Sequence, residues 1–95
     1  MSISAEAKNK YRRAYLPTTA LAANVRFSDD MMHVALTDGR TMSVPLIWFP
    51  LLHEATQQQR ENFEIGGGGT SLHWQELDED LSVAGLLAGA DWRSA

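Results

Sequence analysis

Apolar and polar residues alternate most clearly between Met31 and Ala55, where the sequence reads MMHVALTDGRTMSVPLIWFPLLHEA. Val34 and Leu36 lie two positions apart, as do Met42 and Val44, which is the period of a strand with one buried face. The Asp-Gly pair between these two runs tolerates positive φ, so it suits a two-residue loop. The pattern predicts a β-hairpin.

A short helix is predicted directly after this hairpin. Pro45 cannot donate a ladder hydrogen bond, so the second strand should end there. The apolar residues that follow are spaced as one face of a helix: Trp48, Leu51, Leu52 and Ala55. Pro50 is compatible with this helix because the N–H groups of a first turn have no intrahelical partner. We expect a helix that begins near Ile47 and covers the hairpin.

Patterns on either side extend this unit. Residues 22–28 alternate as a strand and precede the hairpin through Asp29-Asp30, which predicts three antiparallel strands in a meander. Thr56 and Gln59 have the spacing of a capping box, so a second short helix should begin at Thr56.

A second hairpin and a last helix are predicted further along the chain. Alternating residues flank the glycines of 66–69, and we interpret these glycines as a turn that requires positive φ. A phosphate-binding loop is the alternative, but the segment after the glycines resembles a strand and no lysine is near. Ser82 is a plausible N-cap and Gly89 a plausible stop for a C-terminal helix.

These elements predict one α+β domain over residues 21–89. Its order is an antiparallel three-strand meander, two short helices, a second β-hairpin and a C-terminal short helix. Residues 1–20 form a basic N-terminal extension, and residues 90–95 form a tail that contains Trp92. A chain of 95 residues is long enough for one modest core.

Charge is distributed unevenly along the chain. Residues 1–20 have a net charge of +3, because four basic residues oppose Glu6: Lys8, Lys10, Arg12 and Arg13. Residues 21–95 have four basic and eleven acidic residues, a net charge of −7. Since phosphate binding needs basic clusters, nucleic acid should bind only weakly, through this arm or through a partner.

The basic arm has two interpretations. Residues 4–15 can form a helix, but its apolar content is low, and such a helix is marginal unless it packs on something. A loosely docked extension is therefore favoured, and an arm that binds a partner or phosphate is the alternative.

The chain has no cysteine, no signal-peptide core and no apolar run near the roughly 20 residues that span a bilayer. We expect a cytoplasmic, soluble protein without a membrane association.

Titratable side chains cluster in one segment, which is our candidate functional surface: His73, Trp74, Glu76, Asp78, Glu79 and Asp80. Carboxylates beside a histidine can bind a divalent metal or perform acid–base chemistry. The favoured interpretation is that residues 78–80 cap the next helix and lie in a solvated turn. No catalytic triad or metal motif has diagnostic spacing, so we predict no catalytic residue, metal or cofactor.

Three aromatic residues also have two interpretations, as a ligand-binding surface or as part of the core. Trp48, Phe49 and Trp74 can form a ligand platform, but they share faces with leucines. We expect them in the core, since a small domain depends on its large apolar side chains.

Several of these segments together resemble a bacterial family. The matching motifs are a DGR turn, VPL-x-WFP-x-L followed by A-T-x-x-Q-R, then I-G-G-G, H-W-x-x-L-D-E-D and a final S-V-x-x-L-L. Over residues 25–87 the chain resembles the domain of unknown function 2442 family. The resemblance implies a small α+β domain with antiparallel strands and identifies no catalytic residue.

The resemblance also bears on partners. Relatives of this kind can have an appended helix-turn-helix domain or be encoded beside another small protein, as in toxin–antitoxin pairs. We expect no appended DNA-binding domain here. The leading hypothesis is a non-enzymatic interaction or regulatory domain whose acidic body binds a protein such as the neighbouring gene product, and an antitoxin-like role is one form of this hypothesis.

Two alternatives stay open. One is a small-molecule or metal-binding enzyme that uses residues 73–80, and the other is a nucleic-acid-associated protein that uses the basic arm. Association into a homo-oligomer through exposed strand edges is a separate possibility.

Overall fold

The computed structural model of the protein describes residues 18–89. Residues 1–17 of the predicted N-terminal extension, with all its basic residues, and the tail that contains Trp92 lie outside the described residues, whereas Ala20 of that extension is buried in the core. Within the described part, two three-stranded antiparallel sheets and three short helices make up the domain. The α+β prediction is confirmed.

The first sheet consists of β1 (Ala22–Phe27), β2 (Met31–Leu36) and β3 (Thr41–Pro45), in that order. A 3₁₀ turn follows (Leu46–Trp48), and then the helices α1 (Pro50–His53) and α2 (Gln57–Glu61). The second sheet consists of β4 (Glu64–Gly66), β5 (Ser71–Trp74) and β6 (Glu79–Ser82), and α3 (Val83–Ala88) follows it.

The first sheet confirms the predicted meander and its faces. Val25 lies opposite Val34, which lies opposite Met42, so these side chains share the inner face. A bulge between Ala22 and Asn24 shifts the register at the start of β1. Beyond the bulge the alternation in all three strands places apolar residues inward, as the period-2 pattern predicted.

The loop of the first hairpin differs from the prediction. Leu36 pairs with Arg40 through its backbone N–H (2.8 Å), which leaves three residues in the loop rather than two. Gly39 alone among them has positive φ (92°), as in a type I turn followed by a left-handed residue. Asp38 accepts hydrogen bonds from the backbone N–H of Arg40 (3.0 Å) and from its Nε (2.8 Å). These bonds favour the longer loop.

The predicted helix near Ile47 is also different in detail. The chain forms a single 3₁₀ turn, and α1 begins only at Pro50, at the first position, where a proline is tolerated. Within the proposed apolar stripe, Leu52 is fully buried but Leu51 is 49% exposed. The break at Phe49 rotates the two turns relative to each other, so a continuous helical stripe does not form.

Helix α2 begins as predicted. Thr56 Oγ1 accepts from the backbone N–H of Gln59 (3.1 Å), and Gln59 Oε1 accepts from the backbone N–H of Thr56 (2.9 Å). This reciprocal capping box accounts for a separate helix rather than a continuation of α1.

The core lies between the sheets and the helices. Thirteen buried apolar residues form one cluster: Ala20, Ala22, Val25, Met32, Val34, Leu36, Val44, Leu46, Leu52, Leu72, Trp74, Val83 and Leu86. Trp74 is the largest, and its indole N–H donates to the carbonyl of Arg60 (2.8 Å). The expectation that Trp74 is a core residue is confirmed.

A glycine turn joins the two sheets. The carbonyl of Gly69 accepts from the backbone N–H of Ala22 (2.8 Å), so the turn between β4 and β5 contacts the start of β1. Gly69 has a φ of 110°, and a Cβ there would lie 2.7 Å from the Cβ of Leu21. The predicted positive-φ turn is confirmed, and it also forms the junction between the sheets.

Candidate functional site

The outer face of the second sheet has a row of three titratable side chains. His73, in the middle of β5, lies opposite Glu64 on one side and Asp80 on the other. Directly opposed residues of antiparallel strands have side chains on the same face. His73 Nδ1 lies 2.6 Å from Asp80 Oδ1, with the His73 side chain 33% exposed and the Asp80 side chain 72% exposed. The row is therefore an acid–histidine–acid surface open to solvent.

Strand β6 produces this row, and the sequence did not predict it. We expected Asp80 to lie in a turn and to cap the following helix. The structure places it inside β6, where it bonds to His73, while Ser82 Oγ caps α3 by accepting from the backbone N–H of Gly85 (3.0 Å). The strand was missed because acidic residues are depleted in strands.

The other residues of the candidate surface lie apart from the row. Trp74 and Glu79 are opposed on the inner face, and Trp74 is fully buried. Asp78 lies in the turn before β6 with a left-handed φ of 50°. Glu76 contacts α2, where its Oε1 accepts from Gln59 Nε2 (3.2 Å). The structure brings together His73 and Asp80, but not the full set.

A polar cleft lies beside Glu76. Its volume is about 540 Å³, and its lining residues are Thr56, Gln58, Gln59, Glu61, Asn62 and Glu76. Neither His73 nor Asp80 lines it. Because the acid–base and metal interpretation required the candidate residues to converge on one pocket, the geometry of residues 73–80 does not support it. Among residues 18–89, no group of three or more His, Asp or Glu side chains is placed to hold a metal ion.

A second histidine, His33, occupies the equivalent place on the first sheet. Its Nδ1 lies 2.6 Å from the hydroxyl of Ser43, and its Nε2 lies 3.0 Å from the hydroxyl of Ser28. The predicted two-residue loop at Asp38-Gly39 would place Val44 opposite His33, so the contact with Ser43 depends on the three-residue loop. The contact with Ser28 depends on the turn after β1. Both ring nitrogens are bonded within the protein, so His33 ties strands together.

An apolar groove of about 160 Å³ lies next to the acidic row. It separates the segment after β3 from β6 and α3, and its lining residues are Trp48, Phe49, Asp80, Leu81, Ser82, Gly85, Leu86 and Gly89. Trp48 and Phe49 are half-buried and meet edge to face, with ring centroids 6.3 Å apart. They pack against the core and also form one wall of the groove. Asp80 belongs to both surfaces.

The described part of the chain is strongly acidic. Residues 18–89 contain three arginines and ten carboxylates, a net charge of −7. Arg40 is paired with Asp38 (2.8 Å), and the Arg60 guanidinium donates to the carbonyls of Leu52 and His53 (both 2.7 Å). Two of these three cations are thus bonded within the fold.

The longest helix in residues 18–89 has six residues, and none is long and apolar enough to cross a membrane.

Known proteins share this fold. A protein of unknown function from Rhodospirillum rubrum ATCC 11170 is 36% identical, with a TM-score of 0.68 over 76% of this chain and 89% of the other. An uncharacterized protein from Chromobacterium violaceum, solved by NMR, has a TM-score of 0.63 over 92% of this chain and 78% of the other. At 20% identity the second similarity concerns the fold alone. No curated protein matches the chain.

The family model described as protein of unknown function (DUF2442) matches residues 22–91. This match spans both sheets, all three helices and the motifs that first indicated the resemblance. The chain belongs to the DUF2442 family.

Proposed function

We propose that the protein is a non-enzymatic interaction domain that binds a basic protein partner through the outer face of its second sheet. The observation that supports this is the row of Glu64, His73 and Asp80 on an exposed face of a body with a net charge of −7. Complementary charge steers such encounters and selects the partner.

The product of a neighbouring gene is the first partner to test, as in a toxin–antitoxin-like pair. The two proteins should be co-expressed and purified together, and their affinity then measured by calorimetry at about 50 and 300 mM salt. Binding that depends on exposed charges weakens as salt is raised. The proposal expects a complex whose affinity falls with salt.

A charge variant with a matched control locates the surface. Glu64→Gln with Asp80→Asn removes two negative charges from the row, whereas Asp29→Asn with Asp30→Asn removes two from an exposed turn of the first sheet. We expect the first pair to lower the partner affinity about tenfold or more and the second to change it less than threefold. Equal losses would indicate a general charge effect, and an unchanged affinity for both would contradict the proposed surface.

A further inference from the structure

Strand β6 has an open edge beside the apolar groove. Within residues 18–89 it pairs with β5 alone, and its residues 80–82 line the groove. We infer that this edge and the groove together bind an extended segment of the protein partner, in which one apolar side chain lies next to a cationic one. The inference rests on the proposed function, because it names the kind of partner segment that the surface around Asp80 takes.

The register of β6 determines which of its main-chain groups point to the open edge. Directly after β6, the backbone N–H of Val83 donates to the carbonyl of Thr70 in front of β5 (2.9 Å). Since hydrogen-bonded and non-hydrogen-bonded pairs alternate along antiparallel strands, Asp80 and Ser82 form non-hydrogen-bonded pairs with β5. The N–H of Asp80 accordingly donates to Oε1 of Glu79 (3.1 Å). The Asp80 carbonyl and the Ser82 N–H are thus placed to pair with an added strand.

Alternation along an added strand separates the two kinds of side chain. Leu81 packs against the core, whereas Asp80 lies on the outer face beside His73. Opposed residues of neighbouring strands have side chains on the same face. A partner residue opposite Leu81 therefore points into the groove, and the residues directly before and after it point outward, next to the Asp80 carboxylate.

The groove has room for one side chain rather than for a cofactor. Its volume of about 160 Å³ is below the roughly 300–1,000 Å³ of small-molecule pockets. An apolar cavity of about 150 Å³ accepts one benzene ring, so the ring of a phenylalanine fits. Trp48, Phe49, Leu81 and Leu86 line the groove with apolar and aromatic surface, which suits a buried anchor of this kind.

The charge of the outer face specifies the residue next to the anchor. The Asp80 side chain is 72% exposed and contacts His73 through Oδ1, and Glu64 lies opposite His73 on its other side. A cation that points outward from the added strand can pair with this carboxylate at short range. The net charge of −7 over residues 18–89 favours the same partner.

The test uses the full chain labelled with ¹⁵N and a synthetic probe, the heptapeptide acetyl-TSKFRST-amide. We expect the backbone amides of residues 80–82 and the indole N–H of Trp48 to shift as the peptide is added, and the Ser82 amide to exchange with solvent more slowly. The loop at residues 37–40 should not respond. No shift at about 5 mM peptide, where even a millimolar site is mostly occupied, would overturn the inference. So would shifts confined to other surfaces.

A peptide series tests the anchor, the cations and the strand pairing. Serine in place of phenylalanine should lower the affinity about tenfold or more, and serine in place of both cations about two- to fivefold at low salt. N–H groups of an added strand point alternately to β6 and away from it. N-methylation of the phenylalanine and of the arginine should therefore differ, one abolishing binding and the other being tolerated. Equal effects of the two methyl groups would contradict strand pairing.

A blocking variant with a matched control tests the groove. Gly85 lines the groove, and a Cβ there would lie 3.5 Å from Ser82 Oγ, an ordinary contact, whereas its exposed neighbour Ala84 lies outside the lining. Gly85→Leu should lower the peptide affinity about tenfold or more, and Ala84→Leu less than about twofold. Unchanged affinity in folded Gly85→Leu would refute docking in the groove. Should that variant fail to fold, the shifts in the unmodified chain and the peptide series decide.

The same leucine variants separate this inference from the proposed function. Suppose that the neighbouring gene product binds and responds to salt and to Glu64→Gln with Asp80→Asn. If Gly85→Leu then binds it unchanged, the charged surface stands and the groove inference fails. If the probe docks as expected but the gene product does not bind, the groove inference stands and that product is not the partner.

Other occupants of the groove have their own signatures in the peptide-free chain. Cross-relaxation between the groove and residues 90–95 would show that the chain's own tail is the occupant. Shifts of residues 80–82 that depend on protein concentration would show that a second copy is the occupant. Either result would overturn binding of a partner segment.

Discussion

The middle strand of each sheet has a half-buried histidine on its outer face, and the two histidines have opposite surroundings. His33 bonds with two serine hydroxyls, from the neighbouring strand and from the turn after β1. His73 lies between two carboxylates, one of which it contacts at 2.6 Å. At His33, both ring nitrogens make hydrogen bonds within the protein. At His73, the contacted side chain of Asp80 is 72% exposed and lies beside an apolar groove.

This difference distinguishes a histidine that holds strands together from one that lies on a charged surface open to solvent. On the outer face of the first sheet, both ring nitrogens of His33 are bonded within the protein, so this side chain has little to offer a ligand. The second sheet concentrates charge and apolar surface at one edge, around Asp80. A binding surface is therefore expected on the sheet whose third strand the sequence did not predict.

The largest expected effect concerns the shared core. Trp74→Ala should lower the free energy of unfolding by about 3–5 kcal/mol, because it removes a fully buried indole and its bond to the Arg60 carbonyl. Met32→Ala, also fully buried but in the first sheet, should cost about 2–5 kcal/mol. Urea unfolding should show one transition for both variants. If Trp74→Ala melted the second sheet alone, the two sheets would be separate folding units.

The next largest loss of stability is expected at the glycine turn that joins the two sheets. Gly69→Ala and Gly39→Ala both place a side chain at positive φ, which costs about 1–2 kcal/mol. At Gly69 the new Cβ also meets Leu21 and the Ala22 carbonyl, which adds about 1–3 kcal/mol, whereas nothing lies within 4 Å at Gly39. Thermal unfolding of the two variants measures the difference. Equal losses of stability in the two variants would contradict the close approach of the glycine turn to the start of β1.

Alanine substitutions of the two histidines should differ in cost by less than those of the two glycines, and here the larger cost is expected in the first sheet. His33→Ala removes two hydrogen bonds that join separate segments, an effect of about 1 kcal/mol. His73→Ala removes one exposed contact, worth about 0.2–1 kcal/mol. Urea unfolding at neutral pH compares them. A larger loss at His73 would contradict the assignment of the structural role to His33.

The smallest effect depends on pH. The backbone N–H of Arg40, and with it the Arg40 side chain, lowers the pKa of Asp38 below its ordinary value. Because the folded pKa is the lower one, the stabilising contribution is full above the unfolded pKa of about 3.9 and is lost as pH falls through the folded pKa. A carboxyl NMR titration should show the depressed midpoint, and Asp38→Asn should remove this acid-dependent contribution.

The first sheet was predictable because its signals are local. Alternation in β1 to β3 and the capping box at Thr56 each specify structure within a few residues, whereas the Asp-Gly pair located the turn but predicted a loop one residue too short. The β4–β5 hairpin of the second sheet was predicted from the same kind of local pattern, but the pairing of β6 with β5 was not. Strand β6 has two inward positions, Glu79 and Leu81, too few for a convincing period-2 pattern.

The side chains that lie together on the candidate surface are determined by strand pairing. Sequence proximity grouped residues 73–80, whereas strand register keeps His73 and Asp80 and adds Glu64 from β4. Trp74 was included by adjacency and lies on the opposite face. The groove was not predictable, since it forms where the 3₁₀ turn and α3 approach each other across the fold.

Arg60 has a consequence for how the protein opens. Its side chain holds the last carbonyls of α1, and its own carbonyl accepts from the indole of Trp74. A five-residue helix is marginal by itself, so α2 depends on its capping box and on these contacts with the rest of the fold. If the hydrogen bond from Trp74 is lost, α2 should detach, and the bonds from the Arg60 guanidinium to the carbonyls of α1 should then break. The segment from α1 to β5 should therefore exchange its amide hydrogens as one cooperative unit, not helix by helix.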